Sequence, residues 1–590
     1  MSILIGIDLG TSTTEAAVYR NGKPEMILNL EGEAVIPSAV GIDDAGNWIA
    51  GARARAQYLL SPDRTAIEVK RKTGSGETIA LGSGKYTPVE LQQRLLSYVR
   101  TYVSEYLGEN VERAVISVPA YFDHTQRRET ILAGEKAGFV VDRILNEPTA
   151  AAMTYGLEHM EEDSHVLVYD LGGGTFDVTL LEMFSGVLEV KASAGDNRLG
   201  GKDFDEKLME ELYHRFQKKH HVDLRKDRLA AARVKEAAER CKVVLSEQDS
   251  AQVRLPALCV VKGEPLEMNE LVTRADFEAL TADLLVRTHA PLDTVLKDAG
   301  LSEEQIDHII LVGGATRMPM IARDIRQYLG KDPAPAVHPQ FAVAMGAAIQ
   351  AGIISGEIDP MEGLIMTDVS AFSLGVRAGE GRGDQDDDDL MSVVIPRNIT
   401  IPTRRTETYC TAADGQRIAK IEVYQGESRL VSHNQFLGEF LIHGIPPRAR
   451  GKEKIEVTFA YDLNGMLSVT ARIVSTGKEA SIDINMKDTD QNAASQKDPD
   501  RASGRKKEQL PDLSGWKDAE GAKEYRSLIR MADRLLKQVR SSADVPESLR
   551  NELQDTLTQL KQALIDGRLE DTLSLSRALD KTLKAVEELL

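Results

Sequence analysis

The same strand-and-glycine pattern occurs twice in this chain, and a repeated pattern restricts the fold more than any single motif. An apolar run ends in Asp-Leu-Gly-Thr-Ser-Thr at Asp8–Thr13, and a second, Val166–Tyr169, ends in Asp-Leu-Gly-Gly-Gly-Thr at Asp170–Thr175. Each copy reads as a buried strand that delivers an Asp to its tip and turns back through a Gly-rich hairpin. Without Cβ atoms, backbone N–H groups can converge on phosphate oxygens. An Asp at such a tip suits Mg²⁺ held through water, because Mg²⁺ keeps most of its hydration shell. Taken singly, a strand followed by D-x-G is an ordinary turn. Two copies imply two related lobes that face one nucleotide, each presenting a phosphate hairpin.

A chain of 590 residues has room for several domains, each with its own core. Its formal net charge of −20 argues against nucleic acid as the main ligand, since phosphate backbones call for an excess of Lys and Arg. The three cysteines, Cys241, Cys259 and Cys410, form neither a disulfide framework nor a zinc spacing, so a reducing cytoplasm is the simplest reading. The N-terminus runs directly into a strand at Ile3–Ile7 without a basic leader. No uncharged apolar run approaches the roughly 18 residues of a membrane span, and neither secretion nor membrane spanning is expected.

Up to residue 358, apolar runs alternate with amphipathic helices, as in α/β domains. Val115–Val118 and Ile309–Val312 read as strands, and Gln126–Gly138 as a helix. Residues 359–368 form a linker that is hydrophobic where passive linkers are polar, with Leu364, Ile365 and Met366 in sequence. From 369 to 487 the period becomes two. Ile455, Val457, Phe459 and Tyr461 are followed by an Asp-Leu-Asn-Gly turn and by Leu467, Val469, Ala471 and Ile473, which indicates an antiparallel β-sandwich. Within it, Gly379–Asp389 is an acidic loop. Residues 488–512 read as a disordered polar linker. Residues 513–590 read as three short helices, with a stripe from Tyr525 through Ile529, Ala532 and Leu536 and another from Leu549 to Leu564.

Two charged residues stand out chemically. Lys70, in Thr65–Lys72, reads by itself as a surface lysine, yet a compact cation is what cleavage of a γ-phosphate needs. Glu147, before Pro148 and a run of small residues, reads by itself as a helix-start charge, yet it could orient an attacking water.

The remaining motifs carry a resemblance. IGIDLGTST (Ile5–Thr13), VPAYF (Val118–Phe122), NEPTAAA (Asn146–Ala152), DLGGGTFDVT (Asp170–Thr179), LGGKDFD (Leu199–Asp205) and ILVGGATRMP (Ile310–Pro319) occur in this order. Together they resemble the ATPase domain of the 70-kDa heat-shock chaperone family. DVSAFSLGV (Asp368–Val376), NITIPT (Asn398–Thr403), VYQGE (Val423–Glu427) and the DLNG hairpin resemble its peptide-binding domain. The pattern is similar to bacterial, DnaK-like members and nearest the shorter HscC branch. The resemblance implies a multidomain fold: a two-lobed, actin-like α/β ATPase domain, an antiparallel β-sandwich that binds peptide, and a short α-helical lid.

It also implies roles. Asp8 and Asp170 would hold the Mg²⁺ water shell, with Gly10, Thr11, Ser12, Thr13, Gly172, Gly173 and Gly174 on the phosphates and Gly200 and Gly201 closing over them. Lys70 and Glu147 would flank the γ-phosphate, and Asp170, Thr175 and Asp177 complete the catalytic set. Glu239, Lys242 and Ser246 would hold ribose and adenine from one side, and Gly313, Gly314 and Arg317 from the other. Pro119 and Arg127 resemble the family's proline switch and its arginine relay. Arg143, Asn146 and Asp368 would sit near the linker, where a J-domain co-chaperone docks. Phe372, Leu374, Val376, Tyr409, Ala419 and Ile421 would wall the peptide cleft.

The implied ligands are ATP or ADP with Mg²⁺, with room for K⁺. The implied partners are unfolded client peptides, a J-domain protein and a nucleotide-exchange factor, in a cytoplasmic stress response. Departures from the pattern fall at Val243, where an adenine-stacking Arg is usual, at Gln340, where an acid is usual, and at Thr367, Gly379 and Ala419, where larger apolar residues are usual. Within the family these leave open a slow-hydrolysing holdase. An actin-like filament protein or a small-metabolite kinase would share the hairpins, but would need neither the linker nor the β-domain.

Overall fold

The structure, a computed structural model, describes residues 3–159, 162–184, 186–334, 338–358, 365–379 and 389–483, then Tyr525, Ile529, Ala532, Leu536 and the segments 547–565 and 569–587. The chain divides into two compact units, residues 1–487 and 488–590.

Each repeated hairpin seeds a sheet in the first unit. Leu4–Leu9 pairs antiparallel with Thr13–Arg20 and parallel with Arg113–Val118, which continues to Val140–Asn146. Ser164–Leu171 likewise pairs antiparallel with Phe176–Phe184 and parallel with His308–Val312. The strands Leu4–Leu9 and Ser164–Leu171 are buried almost throughout, as expected for strands covered on both faces. The expected strands at Val115–Val118 and Ile309–Val312 are thus present. The helix expected from Gln126 starts at His124, because Asp123 and Gln126 close a capping box there.

Between the two sheets lie the helices Glu147–Glu158 and Ala342–Ser355, which share one core cluster with Val115 and Leu145 of the first sheet and Val168 and Val312 of the second. Small residues allow this approach. A Cβ on Gly346 would stand 1.7 Å from the carbonyl oxygen of Ala150, so only glycine fits where the helices cross. Residues far apart in sequence are thereby held at one cleft.

Residues 374–483 form two four-stranded antiparallel sheets around a core that includes Leu374, Val423, Val457, Phe459 and Val469. The expected hairpin is in register, with Ile455 opposite Ile473 and Tyr461 opposite Leu467. Its turn is tied by Asp462, whose Oδ1 accepts from the Asn464 and Met466 amides at 2.8 Å. The acidic loop lies almost wholly outside the described residues, as does the polar stretch 488–512.

The second unit buries Tyr525, Ile529, Ala532 and Leu536 with Leu553, Leu557, Leu560 and Leu564 of the helix Glu547–Ile565 and Leu579 and Leu583 of the helix Leu569–Glu587. The expected apolar stripes therefore pack on one another. Among the described residues no helix is long and apolar enough to cross a membrane, and Cys241, Cys259 and Cys410 are free thiols.

Candidate functional site

A cavity of about 580 Å³ lies between the two hairpins, a size typical of small-ligand sites. The glycine turns meet across it: a Cβ on Gly173 would come within 2.3 Å of Ser12 Oγ. Asp8, Gly10, Thr11, Ser12 and Thr13 line one side, and Asp170, Gly172, Gly173 and Gly201 the other. Gly174 and Gly200 stand behind this surface, packed on one another, and the Gly200 amide donates to Asp203 at 2.7 Å. The Gly201 amide is likewise engaged, donating to the Gly172 carbonyl at 2.9 Å. The amides of these two glycines, expected to close over phosphates, are both engaged within the turn.

Lys70 is buried, with its Nζ 2.5 Å from Glu147 Oε1. Two features hold it there. It lies in the 3₁₀ turn Val69–Lys72, entered through Glu68 at φ 58°, a left-handed conformation that costs a non-glycine residue about 1–2 kcal/mol. The Glu68 carboxylate is in turn gripped by Lys235 at 2.6 Å and reached by Lys202 at 3.7 Å. Glu147 is fixed as the first residue of its helix. Thr175 and Asp177 are buried behind the hairpin, and Asp177 accepts from the Tyr121 amide at 3.0 Å.

The electrostatics of this cluster are unbalanced. Burial, then repulsion from Glu147, pushes both Asp8 and Asp177 up to about 7, and Asp170 is raised well above the carboxylate range for the same reasons. Lys70 opposes these shifts without cancelling them, so the site calls for further positive charge. Among the described residues no three His, Cys, Asp or Glu side chains converge as a metal cage. Two carboxylates at the strand tips with a deficit of positive charge fit a hydrated Mg²⁺ rather than a fully protein-ligated ion.

A pH dependence follows. Between the ordinary Asp value of 3.8 and about 7, the folded protein keeps protons that the unfolded chain releases. Stability without nucleotide or metal therefore falls as pH rises through that window. The melting temperature of the metal-free protein should drop from about pH 5 to about pH 7.5, and the rise caused by Mg²⁺ with ADP should grow over the same range. A Mg²⁺ effect that is equal at both ends would contradict the assignment.

At the other end of the cavity, Glu239, Lys242 and Ser246 project from the helix Arg228–Glu247, facing Gly313, Gly314 and Arg317. Glu239 bridges Arg55 at 2.5 Å and Lys202 at 3.0 Å, and these cations hold its carboxyl down at about 2 against the opposing effect of burial. Lys242 is engaged with Asp205 at 2.8 Å and the Gly201 carbonyl at 3.0 Å. Val243, the departure from the stacking Arg, lines the cavity and is 57% exposed. Gln340 also lines it and hydrogen-bonds Glu15, a buried carboxylate directly across the hairpin from Asp8. Sequence reading passed over Glu15, Glu68, Arg55 and Lys202; a charged residue immediately before the apolar run Ala16–Val18 was the available signal for Glu15.

The described end of the linker is a strand. Ile365–Val369 pairs parallel with Val187–Asp196 through Ile365–Val187, Met366–Leu188 and Thr367–Glu189, and antiparallel with Thr400–Ile401. Met366 packs on the core between the sheets, whereas Ile365, expected among the docked apolar residues, is 55% exposed. Leu364 lies outside the described residues. At Thr367 the hydroxyl is buried without a hydrogen bond, a cost consistent with weaker docking at that departure.

Asp368 accepts from Asn146 Nδ2 at 2.7 Å, and Asn146 Oδ1 accepts from Arg127 at 2.7 Å. Arg127 also donates to the carbonyls of Ala120 and Phe122, which follow Pro119. Arg143 is part-buried near Asp368 and Asp462. In this conformation Asn146 and Asp368 are buried against each other and present no docking face to solvent. Further contacts join the β-sandwich to the α/β part: Arg397 and Asn398 to Asp298 at 2.8 and 2.9 Å, and the Ile144 amide to Asn464 at 3.0 Å. Of the expected peptide-cleft residues, Leu374, Val376 and Ile421 are in the sandwich core with Tyr409 and Ala419 packed against it. Phe372 is elsewhere, its ring 4.3 Å from that of Tyr121.

The sequence profile of one protein family, described as Hsp70 protein, matches residues 4–79 and 75–590. With essentially the whole chain matched, and paired glycine hairpins facing one cavity, the chain belongs to the Hsp70 family of ATP-dependent chaperones.

Proposed function

We propose that the protein binds extended hydrophobic segments of unfolded polypeptides and couples their capture to ATP hydrolysis. The observation that carries this reading is the position of Tyr121: its amide touches Asp177 at 3.0 Å, while its ring packs on Phe372, in the bend that leads from the linker strand into the β-sandwich. One short segment thus contacts both the phosphate end of the cavity and the peptide-binding part.

In this reading the α/β part holds ATP between two actin-like lobes, with the phosphates at the two turns and the base toward Val243. Asp8 and Asp170 would hold Mg²⁺, which when bound supplies positive charge to the phosphates. Lys70, kept in place by Glu147, faces the charge that develops on the γ-phosphate. Asp177 and Thr175 orient the attacking water; its oxygen bonds to the γ-phosphorus as the bond to the β-phosphate oxygen breaks, ADP leaves with that bond's electron pair, and the water's proton passes to an oxygen of the departing phosphate.

Release of phosphate alters the contacts of Arg127 with the Ala120 and Phe122 carbonyls and with Asn146, and the linker strand leaves its sheet edge. The sandwich then closes on peptide through Leu374, Val376, Tyr409, Ala419 and Ile421, with the helical unit acting as a lid. The two ligands bias one equilibrium, so each must alter the other's affinity. A J-domain protein would act on the Arg143–Asn146–Asp368 contact in the cytoplasm, with a nucleotide-exchange factor as a further partner.

A slow-hydrolysing holdase is the second reading, favoured by Val243 and by the prior engagement of Glu239 and Lys242. Steady-state ATP turnover with and without an unfolded peptide and a J-domain separates the two. The proposal expects turnover to rise with both additions; peptide binding with no added turnover would favour the holdase.

A further inference from the structure

A second cavity, of about 630 Å³, lies behind the nucleotide cleft, and none of the roles above uses it. One wall is Leu59 and Leu60, just after the helix Gly51–Tyr58; the others are the helix Arg228–Glu247 and the start of the strand Ser250–Val261. The helix is shared with the nucleotide site. Positions 236, 240 and 244 face the second cavity and positions 239, 242, 243 and 246 the first, as a period of 3.6 residues places them on adjoining faces. Beside it, Arg55 bridges the two walls through Glu236 at 2.6 Å.

Its lining combines apolar and cationic side chains. Leu60 is 80% exposed and Leu229 44%, unusual for leucines that border a concave site. Arg233, Arg240 and Arg254 supply positive charge, and the sole lining carboxylate, Glu236, is already paired with Arg55. Arg233 is spent on the carbonyls of Pro256 and Ala257, but among the described residues Arg240 and Arg254 have no ion-pair partner. On a chain with a net charge of −20, such a local cationic excess is selective for anions.

We propose that this cavity binds a small anionic amphiphile, with its headgroup on Arg240 and its apolar tail against Leu59, Leu60 and Leu229, and that the bound molecule clamps the two walls together and slows nucleotide release. Binding itself is independent of the ATPase reading; the effect on release rests on nucleotide occupying the neighbouring cleft.

Decanoate, below its micellar concentration, is the probe, with decyltrimethylammonium as a control of equal tail and opposite charge. Titration of the full chain without nucleotide should show saturable binding of decanoate at one site and at least about tenfold weaker binding of the cation, the scale of one charged hydrogen bond. Arg240→Gln and Leu60→Asp, both at exposed positions, should each weaken decanoate by a similar factor. In the same protein, release of a fluorescent ADP analogue should slow as decanoate saturates, and the variants should lose that slowing without changing release in its absence. Equal binding of the two amphiphiles, or parental decanoate affinity in Arg240→Gln, would overturn the site. Saturation with no change in ADP release would overturn the clamp.

Discussion

Replacing Lys70 with Ala should leave nucleotide affinity near that of the parent and reduce single-turnover ATP hydrolysis by at least ~10²-fold, the scale of one well-placed electrostatic donor. The ammonium is a buried cation amid Asp8, Glu147, Asp170 and Asp177, and its nearest contact is Glu147 at 2.5 Å. Lys70 stands behind Glu147, which lines the cavity, while the proposed ribose and base contacts come from Glu239, Lys242 and Ser246, so binding energy and chemistry should separate. The substitution has a second consequence. Breaking a buried pair leaves a carboxylate unmatched, which typically destabilises by about 3–5 kcal/mol. Lys70→Ala combined with Glu147→Gln should recover much of the stability and none of the hydrolysis. Parental hydrolysis in either variant would remove Lys70 from the reaction.

The second large effect is expected at the linker. Met366 packs on the core between the sheets, and its strand bridges Val187–Asp196 and Thr400–Ile401. Met366→Asp would place a charge against that core, and an unpaired charge is not tolerated there. The strand should leave the sheet edge while both parts keep their own cores. The prediction is intact ATP binding with loss of peptide-stimulated hydrolysis. Ile365 is the weaker target, since more than half of its surface is exposed at 55%.

Local patterns foretold much of this architecture. The Asp-Leu-Gly repeats, the period of two in Ile455–Tyr461 and the leucine stripes of the C-terminal helices each depend on neighbours close in sequence, and each lies where its pattern pointed. Features that depend on distant partners were not legible locally. Lys70 has the sequence context of a surface lysine; its burial depends on Glu147, 77 positions away, and on the left-handed Glu68 that Lys235 secures. The linker's apolar residues signalled burial, but its strand conformation required the open edge of Val187–Asp196. Phe372 is apolar like the core residues of the sandwich, yet it packs on Tyr121, a partner that only the three-dimensional fold supplies. Glu15 and Gln340, remote in sequence, meet through a hydrogen bond that only the fold supplies.

The most direct test of coupling compares the parent and Met366→Asp side by side, measuring ATP turnover as an unfolded peptide is titrated in. The parent should accelerate with peptide to a plateau, while Met366→Asp should bind ATP with parental affinity and turn over at a rate independent of peptide. Equal stimulation in the two proteins would contradict a linker strand that carries the signal between the nucleotide cleft and the β-sandwich.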